Sequence, residues 1–216
     1  MCARSVAALA LASSAAFAAE EGKVKTWSFE ADKIDEPPAG FSFGKTGQGR
    51  PGRWVVRAEP GAPTGGRVLA QIDTDDTDYR FPVAVAEEPL VKDLRLEVNC
   101  KPVSGKTDQA CGLVFRYQDE NNYYVTRANA LEDNVRLYHV VGGRRRQFAG
   151  WNGKVAGQTW HALAVEARGN RFRVFFDGKP IIEATDDTFK NAGKVGVWTK
   201  ADSVTWFGGL SVKPLQ

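Results

Sequence analysis

Cysteine, histidine and methionine are scarce. The 216-residue chain has 3 Cys, 2 His and 1 Met. Three cysteines exclude a disulfide-dense mini-scaffold. Two histidines, His139 and His161, give little support to a His-rich zinc site or a Ser-His-Asp triad. A surplus of one charge sign is also missing. Lys+Arg number 29 against Asp+Glu 26, a net +3 spread along the chain. That disfavours nucleic acid as a partner and strong steering to polyanions. No apolar run reaches the roughly 20 residues that span a bilayer. No long segment keeps a 3.6-residue apolar period, so the most helix expected is a short turn near Thr188–Asn191. Aromatics are abundant: 12 Phe, 6 Trp and 5 Tyr exclude intrinsic disorder.

The first segment, Met1–Ala19, reads as a secretory signal peptide. Arg4 supplies the positive region, Val6–Ala12 the apolar stretch and Ala16-Phe17-Ala18 the cleavage pattern. The expectation is a periplasmic or extracellular protein whose mature part, 20–216, forms one β-sandwich domain. Export gives meaning to Cys100 and Cys111, which flank a turn-rich stretch. If the flanking strands pair as a hairpin, the two thiols lie opposite each other and a disulfide is expected. The other reading is a pair of buried free thiols.

From Lys23 onward, short alternating runs are separated by turn signals. Strands are expected near 24–29, 53–58, 67–72, 79–86, 93–101, 111–117, 122–128, 134–141, 145–149, 159–168, 171–177, 180–185, 193–199 and 204–213. Gly142-Gly143, Gly169-Asn170 and Asp177-Gly178 supply hairpin turns that tolerate positive φ. The Gly/Pro-rich region 37–66 reads as a long surface loop broken by the strand at 53–58. The fold class is therefore all-β, an antiparallel two-sheet β-sandwich or jelly roll.

Several segments carry a resemblance: Gly112–Asp119, Asn121–Tyr124, Arg127–Tyr138, Trp160-His161, Phe176–Gly178 and Gly193–Trp198. Together they resemble the 3-keto-disaccharide hydrolase-like family, formerly a domain of unknown function, within the concanavalin A-like lectin/glucanase superfamily. The resemblance implies a β-sandwich acting on glycans. In enzymatic members it implies cleavage of sugars oxidised at C3, with a general base for the acidified C2 proton and a group that stabilises the enolate. This chain has Ala110-Cys111-Gly112 where enzyme-like members have Asn-Ser-Gly.

Strand parity then collects candidate site residues. The hairpin register would place Glu97 beside Arg116 on one sheet face. If the neighbouring strands share that face, it also holds Tyr123, Arg127, Asn129, Asn134, Arg136 and Tyr138. Sugar sites use such mixtures, aromatic faces against C–H surfaces and Asn, Glu and Arg for hydroxyls. The plainer reading is a solvated face with cross-strand ion pairs. Glu97 is the candidate base, although an arginine neighbour suits an ion pair better. Trp198 reads equally as a stacking platform or a core residue. Parity makes His139 and His161 buried structural residues. Arg144-Arg145-Arg146 reads as a solvated hairpin tip, with an acidic-glycan patch as the minor alternative. Asp73, Asp75, Asp76 and Asp78 form an acidic turn that admits a structural calcium, although its spacing lacks the expected Gly and terminal Glu. No other cofactor is indicated. Glu30, Asp32 and Asp35 nearly match a glycosidase carboxylate pattern, but Pro37-Pro38 points to a loop. The expected partner is a carbohydrate. The rival functions are a glycan-cleaving enzyme, a non-catalytic glycan-binding module and an envelope scaffold.

Overall fold

Two-residue alternation generates the strands. In Leu94–Ser104, Leu94, Leu96, Val98 and Cys100 are buried, while Arg95, Glu97, Asn99 and Lys101 alternate with them. The computed structural model describes residues 22–216, and no helix occurs among them. The expected leader at 1–19 lies outside the described residues.

One sheet runs in the order β13 (Lys179–Thr185), β12 (Arg171–Phe176), β11 (His161–Arg168), β6 (Leu94–Ser104), β15 (Val204–Pro214), β4 (Arg67–Gln71), β3 (Trp54–Ala58). A short β1 (Lys25–Trp27) also pairs with β15. The second sheet runs β10 (Arg144–Asn152), β9 (Asn134–Val141), β8 (Asn122–Asn129), β7 (Ala110–Asp119), β14 (Lys194–Trp198), β5 (Arg80–Ala86), β2 (Phe41–Gly47). All of these pairings are antiparallel. The core between the sheets contains Leu96, Val98, Leu113, Phe115, Tyr124, Leu137, Val165, Phe172 and Phe207. β5 and β14 touch closely at Gly196, where an added Cβ would lie 2.2 Å from the Ala84 carbonyl oxygen.

The sandwich and the three Gly-containing hairpins agree with the sequence reading. Three details do not. First, β6 and β7 form no hairpin. β6 pairs with β11 and β15, while β7 lies in the other sheet. The Cys100–Cys111 disulfide is present, but it crosses the core and joins the two sheets. The intervening chain turns a corner because the Asp202 carboxylate accepts the backbone N–H groups of Lys106, Thr107 and Asp108 at 2.6–3.1 Å. Second, the region 37–66 contains an unexpected strand, β2, which closes one edge of the second sheet. Its two glycines concealed it. Third, no helical turn forms at 188–191.

Candidate functional site

The outer face of the seven-stranded sheet holds a second apolar cluster, separate from the intersheet core. Phe81, Val83, Val85, Val114, Tyr123, Val125, Tyr138, Val140 and Trp198 belong to it. Trp198 stacks on Phe81 with ring centroids 5.3 Å apart. Register sets Trp198, Gly112, Arg127 and Arg136 side by side across β14, β7, β8 and β9. Gly112 matters because it has no side chain. A Cβ there would lie 3.1 Å from Trp198 Cε3 and 3.2 Å from Arg127 Cβ. The glycine lets both side chains settle over the middle strand.

Arg127 is the hub of the polar part, with only 3% of its surface exposed. It donates to Glu132 Oε2 at 2.7 Å, to the Tyr138 hydroxyl at 3.1 Å and to Asn134 Oδ1. Asn134 Nδ2 donates back to Glu132 at 3.1 Å. Burial opposes ionisation of Glu132, but the Arg127 charge and these hydrogen bonds prevail and hold its carboxyl below the ordinary value. Beside this cluster, Lys200 Nζ lies 2.6 Å from Asp78 Oδ1 and 3.0 Å from Asp108 Oδ2. Asn129 Nδ2 donates to Asp108 Oδ1 at 2.9 Å. Burial raises the Asp108 carboxyl, and the charges of Lys200 and Arg127 only partly counter it. Burial works against the Lys200 ammonium, yet the bonds and charges of Asp78 and Asp108 raise it.

Arg145 lies across the aromatic floor. Its guanidinium carbon is 4.5 Å from the Phe81 and Tyr138 ring centroids and 5.6 Å from that of Trp198. The Tyr79 hydroxyl accepts the Arg145 backbone N–H at 2.8 Å and donates to the Gly143 carbonyl at 3.1 Å, which sets the hairpin over the face. Two buried guanidinium nitrogens in this region, Arg127 Nε and Arg145 Nη1, complete no hydrogen bond. Nor does the Trp198 indole nitrogen form a well-aligned one, although it sits beside the Tyr123 hydroxyl. Unpaired buried donors are costly, and a ligand's oxygens would satisfy them.

The structure thus brings together Tyr123, Arg127, Asn129, Asn134, Arg136, Tyr138 and Trp198. Their roles differ. Asn134 and Asn129 orient Arg127 and Asp108. Tyr123 is buried and shares a 2.7 Å hydrogen bond with Thr46, and burial pushes its hydroxyl up to about 12. Arg136 is held by the Trp151 carbonyl at 2.8 Å and Asn152 Oδ1 at 2.6 Å. Trp198 is fully buried beneath Arg145, so it is no open stacking platform.

Glu97 and Arg116 do not join this face. Glu97 lies on the outer face of the other sheet, where its carboxylate accepts Arg95 at 2.8 Å. The expected register failed because β6 and β7 belong to different sheets. Arg116 follows a register shift in β7 and has φ 46°. This turns it away from the Gly112 and Val114 side to the end of the sandwich. There it donates to the carbonyls of Lys92, Gly169 and Phe189 and to Asp93.

The acidic turn does not gather its carboxylates. Asp73 pairs with buried Arg80 at 2.8 Å, Asp75 accepts the Arg50 and Thr77 backbone N–H groups, and Asp78 pairs with Lys200. Arg80 donates to the Asp73 carboxylate and to the carbonyls of Arg50, Pro51, Asp75 and Ala201. Asp76 is exposed and joins none of these contacts. Among the described residues no three acidic, His or Cys groups converge as ligands, so the calcium expectation finds no ligand set. Glu30, Asp32 and Asp35 also diverge: Glu30 caps Gly66 and Arg67, Asp32 caps Ala39 and Asp35 pairs with Arg57. His161 is buried between Asp177 and the Ala156 carbonyl, each at 2.9 Å. His139 stacks on Phe148 and faces Asp186 at 3.2 Å.

Strand parity did not gather Asp108, Glu132, Lys200 or Arg145 with Arg127, although Arg145 belongs to the basic run that carried the acidic-glycan alternative. Lys200 had a usable signal, since it follows Trp198 by two residues. Asp108 had none, because it lies in the corner between the sheets.

The two sheets define an antiparallel β-sandwich, a fold shared with galectin-like and concanavalin A-like solved structures. No family model matches the chain. The carbohydrate-binding module CBM66 from Bacillus subtilis superposes with a TM-score of 0.63 and 22% identity, over 79% of this chain and 94% of its own. The VIP36 exoplasmic/lumenal domain in its Ca2+/Man-bound form superposes with a TM-score of 0.56 and 13% identity, over 82% of this chain and 84% of its own. In sequence, 130 residues are 31% identical to a TPR repeat-containing protein of Treponema pallidum. That match takes in 59% of this chain and 15% of the relative.

Proposed function

We propose that this is an exported carbohydrate-binding protein whose site is the outer face of the seven-stranded sheet. One observation carries the reading. Buried guanidinium N–H groups of Arg127 and Arg145 stand unpaired over an aromatic floor. Arg127 Nε donates to a sugar oxygen, and Asp108 Oδ2 accepts a sugar hydroxyl beside Lys200. The neighbours named as carbohydrate-binding supply support at the level of fold. The intersheet disulfide and the leader read over 1–19 support export. Isothermal titration against a glycan panel tests the reading. Saturable binding is expected for the intact protein and at least tenfold weaker binding for Arg127→Met. No binding by folded protein across a broad panel refutes it.

A second reading uses the same face for cleavage of a glycoside oxidised at C3, the chemistry of the family that the sequence resembles. A base takes the C2 proton, the C2–H electrons form an enolate, and collapse of the enolate expels the C1 oxygen. Glu97 is placed apart from this face, whereas Asp108 is raised by burial and has the Lys200 ammonium at 3.0 Å. Mass spectrometry of a 3-keto-glycoside incubation checks it. Product that disappears in Asp108→Asn supports cleavage, and no product from the folded protein removes it.

A further inference from the structure

We infer that the sugar recognised on this face carries an anionic substituent, a carboxylate or a sulfate ester, and that Arg145 is the residue that selects it. The inference rests on the carbohydrate-binding reading and adds the substrate class. It starts from how the cations of the face are matched. Lys200 has two carboxylates, Asp78 at 2.6 Å and Asp108 at 3.0 Å. Arg127 has Glu132 at 2.7 Å. Among the described residues no carboxylate pairs with Arg136, but its guanidinium is engaged by the Trp151 carbonyl and Asn152 Oδ1.

Arg145 has neither arrangement. Among the described residues no carboxylate pairs with its guanidinium, and Nη1 is buried without a hydrogen bond. It lies against the faces of Phe81, Tyr138 and Trp198, and the Asp78 carboxylate that pairs with Lys200 feels its charge without bonding to it. Ring faces attract the charge but give its N–H groups no acceptor. A half-buried guanidinium in that state is completed by an oxyanion, which it can bind through two parallel N–H bonds.

A sugar on this face would take the place that the Arg145 side chain now fills over nearly buried rings. Arg145 now covers the rings on which a pyranose would stack. A ligand anion that draws the guanidinium off those rings exposes Tyr138 and Trp198 to the sugar's C–H face. One side chain thus exchanges its ring contacts for an ion pair while opening the floor.

The test is a titration series with the full mature protein. The probes are a trigalacturonate, a sulfated galactan oligosaccharide lacking uronate, and a neutral galactan oligosaccharide of similar length. Each is measured at 0.15 and 0.5 M salt, about a threefold change in ionic strength that weakens unspecific attraction. At least one acidic probe is expected to bind tenfold or more tightly than the neutral one, with the preference persisting at the higher salt. Which acidic probe wins distinguishes carboxylate from sulfate. Arg145→Gln is expected to remove the preference, and Arg145→Lys to reduce it because the planar fork is lost. Arg144→Gln, on the exposed side of the same hairpin, should retain it. Equal affinity for neutral and acidic probes overturns the inference and leaves carbohydrate binding standing. A preference that survives in folded Arg145→Gln also overturns it. Failure of every probe and of the broader panel overturns both readings.

Discussion

Replacing Arg116 with methionine should destabilise the protein without altering the proposed sugar site. The side chain is 1% exposed and lies at the end of the sandwich. It donates to the Lys92, Phe189 and Gly169 carbonyls at 2.9, 2.8 and 2.6 Å and reaches Asp93 Oδ1 at 3.2 Å. These partners lie in separate loops, so one guanidinium ties three segments together. Methionine keeps much of the apolar stem over Phe172 but leaves three carbonyls without this donor and Asp93 with only the Gly169 N–H. Leaving acceptors without a donor costs about 1–3 kcal/mol each where they are buried, so three carbonyls give a loss of about 3–5 kcal/mol. For a chain of this size, that loss lowers Tm by roughly 6–20 °C. Thermal and urea unfolding measure it, with Arg144→Met as the exposed control. A loss below about 1 kcal/mol, typical of a surface pair, would refute the assignment of Arg116 as a structural tie. Loss of sugar affinity at unchanged stability would refute it from the other side.

Removing the intersheet disulfide by Cys100→Ser with Cys111→Ser should cost about 3 kcal/mol on the loop-entropy scale, read by urea unfolding with and without reductant. No change between oxidised and reduced wild type would contradict a closed bridge. Gly112→Val should push against Trp198 and Arg127 and weaken glycan binding more than it lowers Tm; the reverse order would argue against their close approach as a site requirement. Acid should destabilise the fold. Asp78, Glu132, Asp186 and Asp202 are held below ordinary carboxylate values, so the unfolded chain takes up their protons first. Their contribution is whole above the ordinary values, 3.8 for Asp and 4.5 for Glu, and is lost as pH falls through the lowered ones. Asp108 acts oppositely, favouring the fold below 3.8 and losing that effect as pH rises through its raised value. Asp75 and Asp133 are lowered as well, so six groups against one predict a Tm that falls below pH 4, and a Tm that rises on acidification would reverse the sign.

Strand periodicity makes most of the sandwich legible, because strands such as β6 and β12 bury one side against the intersheet core. β2 was hidden since Gly44 and Gly47 interrupt its pattern and its order comes from pairing with β5. Parity also assembled Arg127, Asn129, Asn134 and Tyr138, which depend only on the local hairpin of β8 and β9. It failed at Glu97 because sheet membership is a long-range property. The Asp202 carboxylate turns the chain into the other sheet, and nothing in residues 100–111 announces that. It failed at Arg116 because a register shift reverses the side on which a residue falls. Asp108 and Glu132 come from a corner and a turn, where no two-residue period marks the direction of a side chain, whereas Arg145 sits opposite Val140 in the β9–β10 hairpin and shares its face.

The most direct test of the central claim is a 1H–15N NMR titration with the tightest oligosaccharide from the panel. Binding on the seven-stranded sheet predicts shifts concentrated at Gly112, Arg127, Asn134, Tyr138, Arg145 and the Trp198 indole N–H, with Glu97, Asn99 and Ser211 unmoved. Shifts centred on Glu97, Asn99 and Ser211, with the Trp198 indole unmoved, would contradict it.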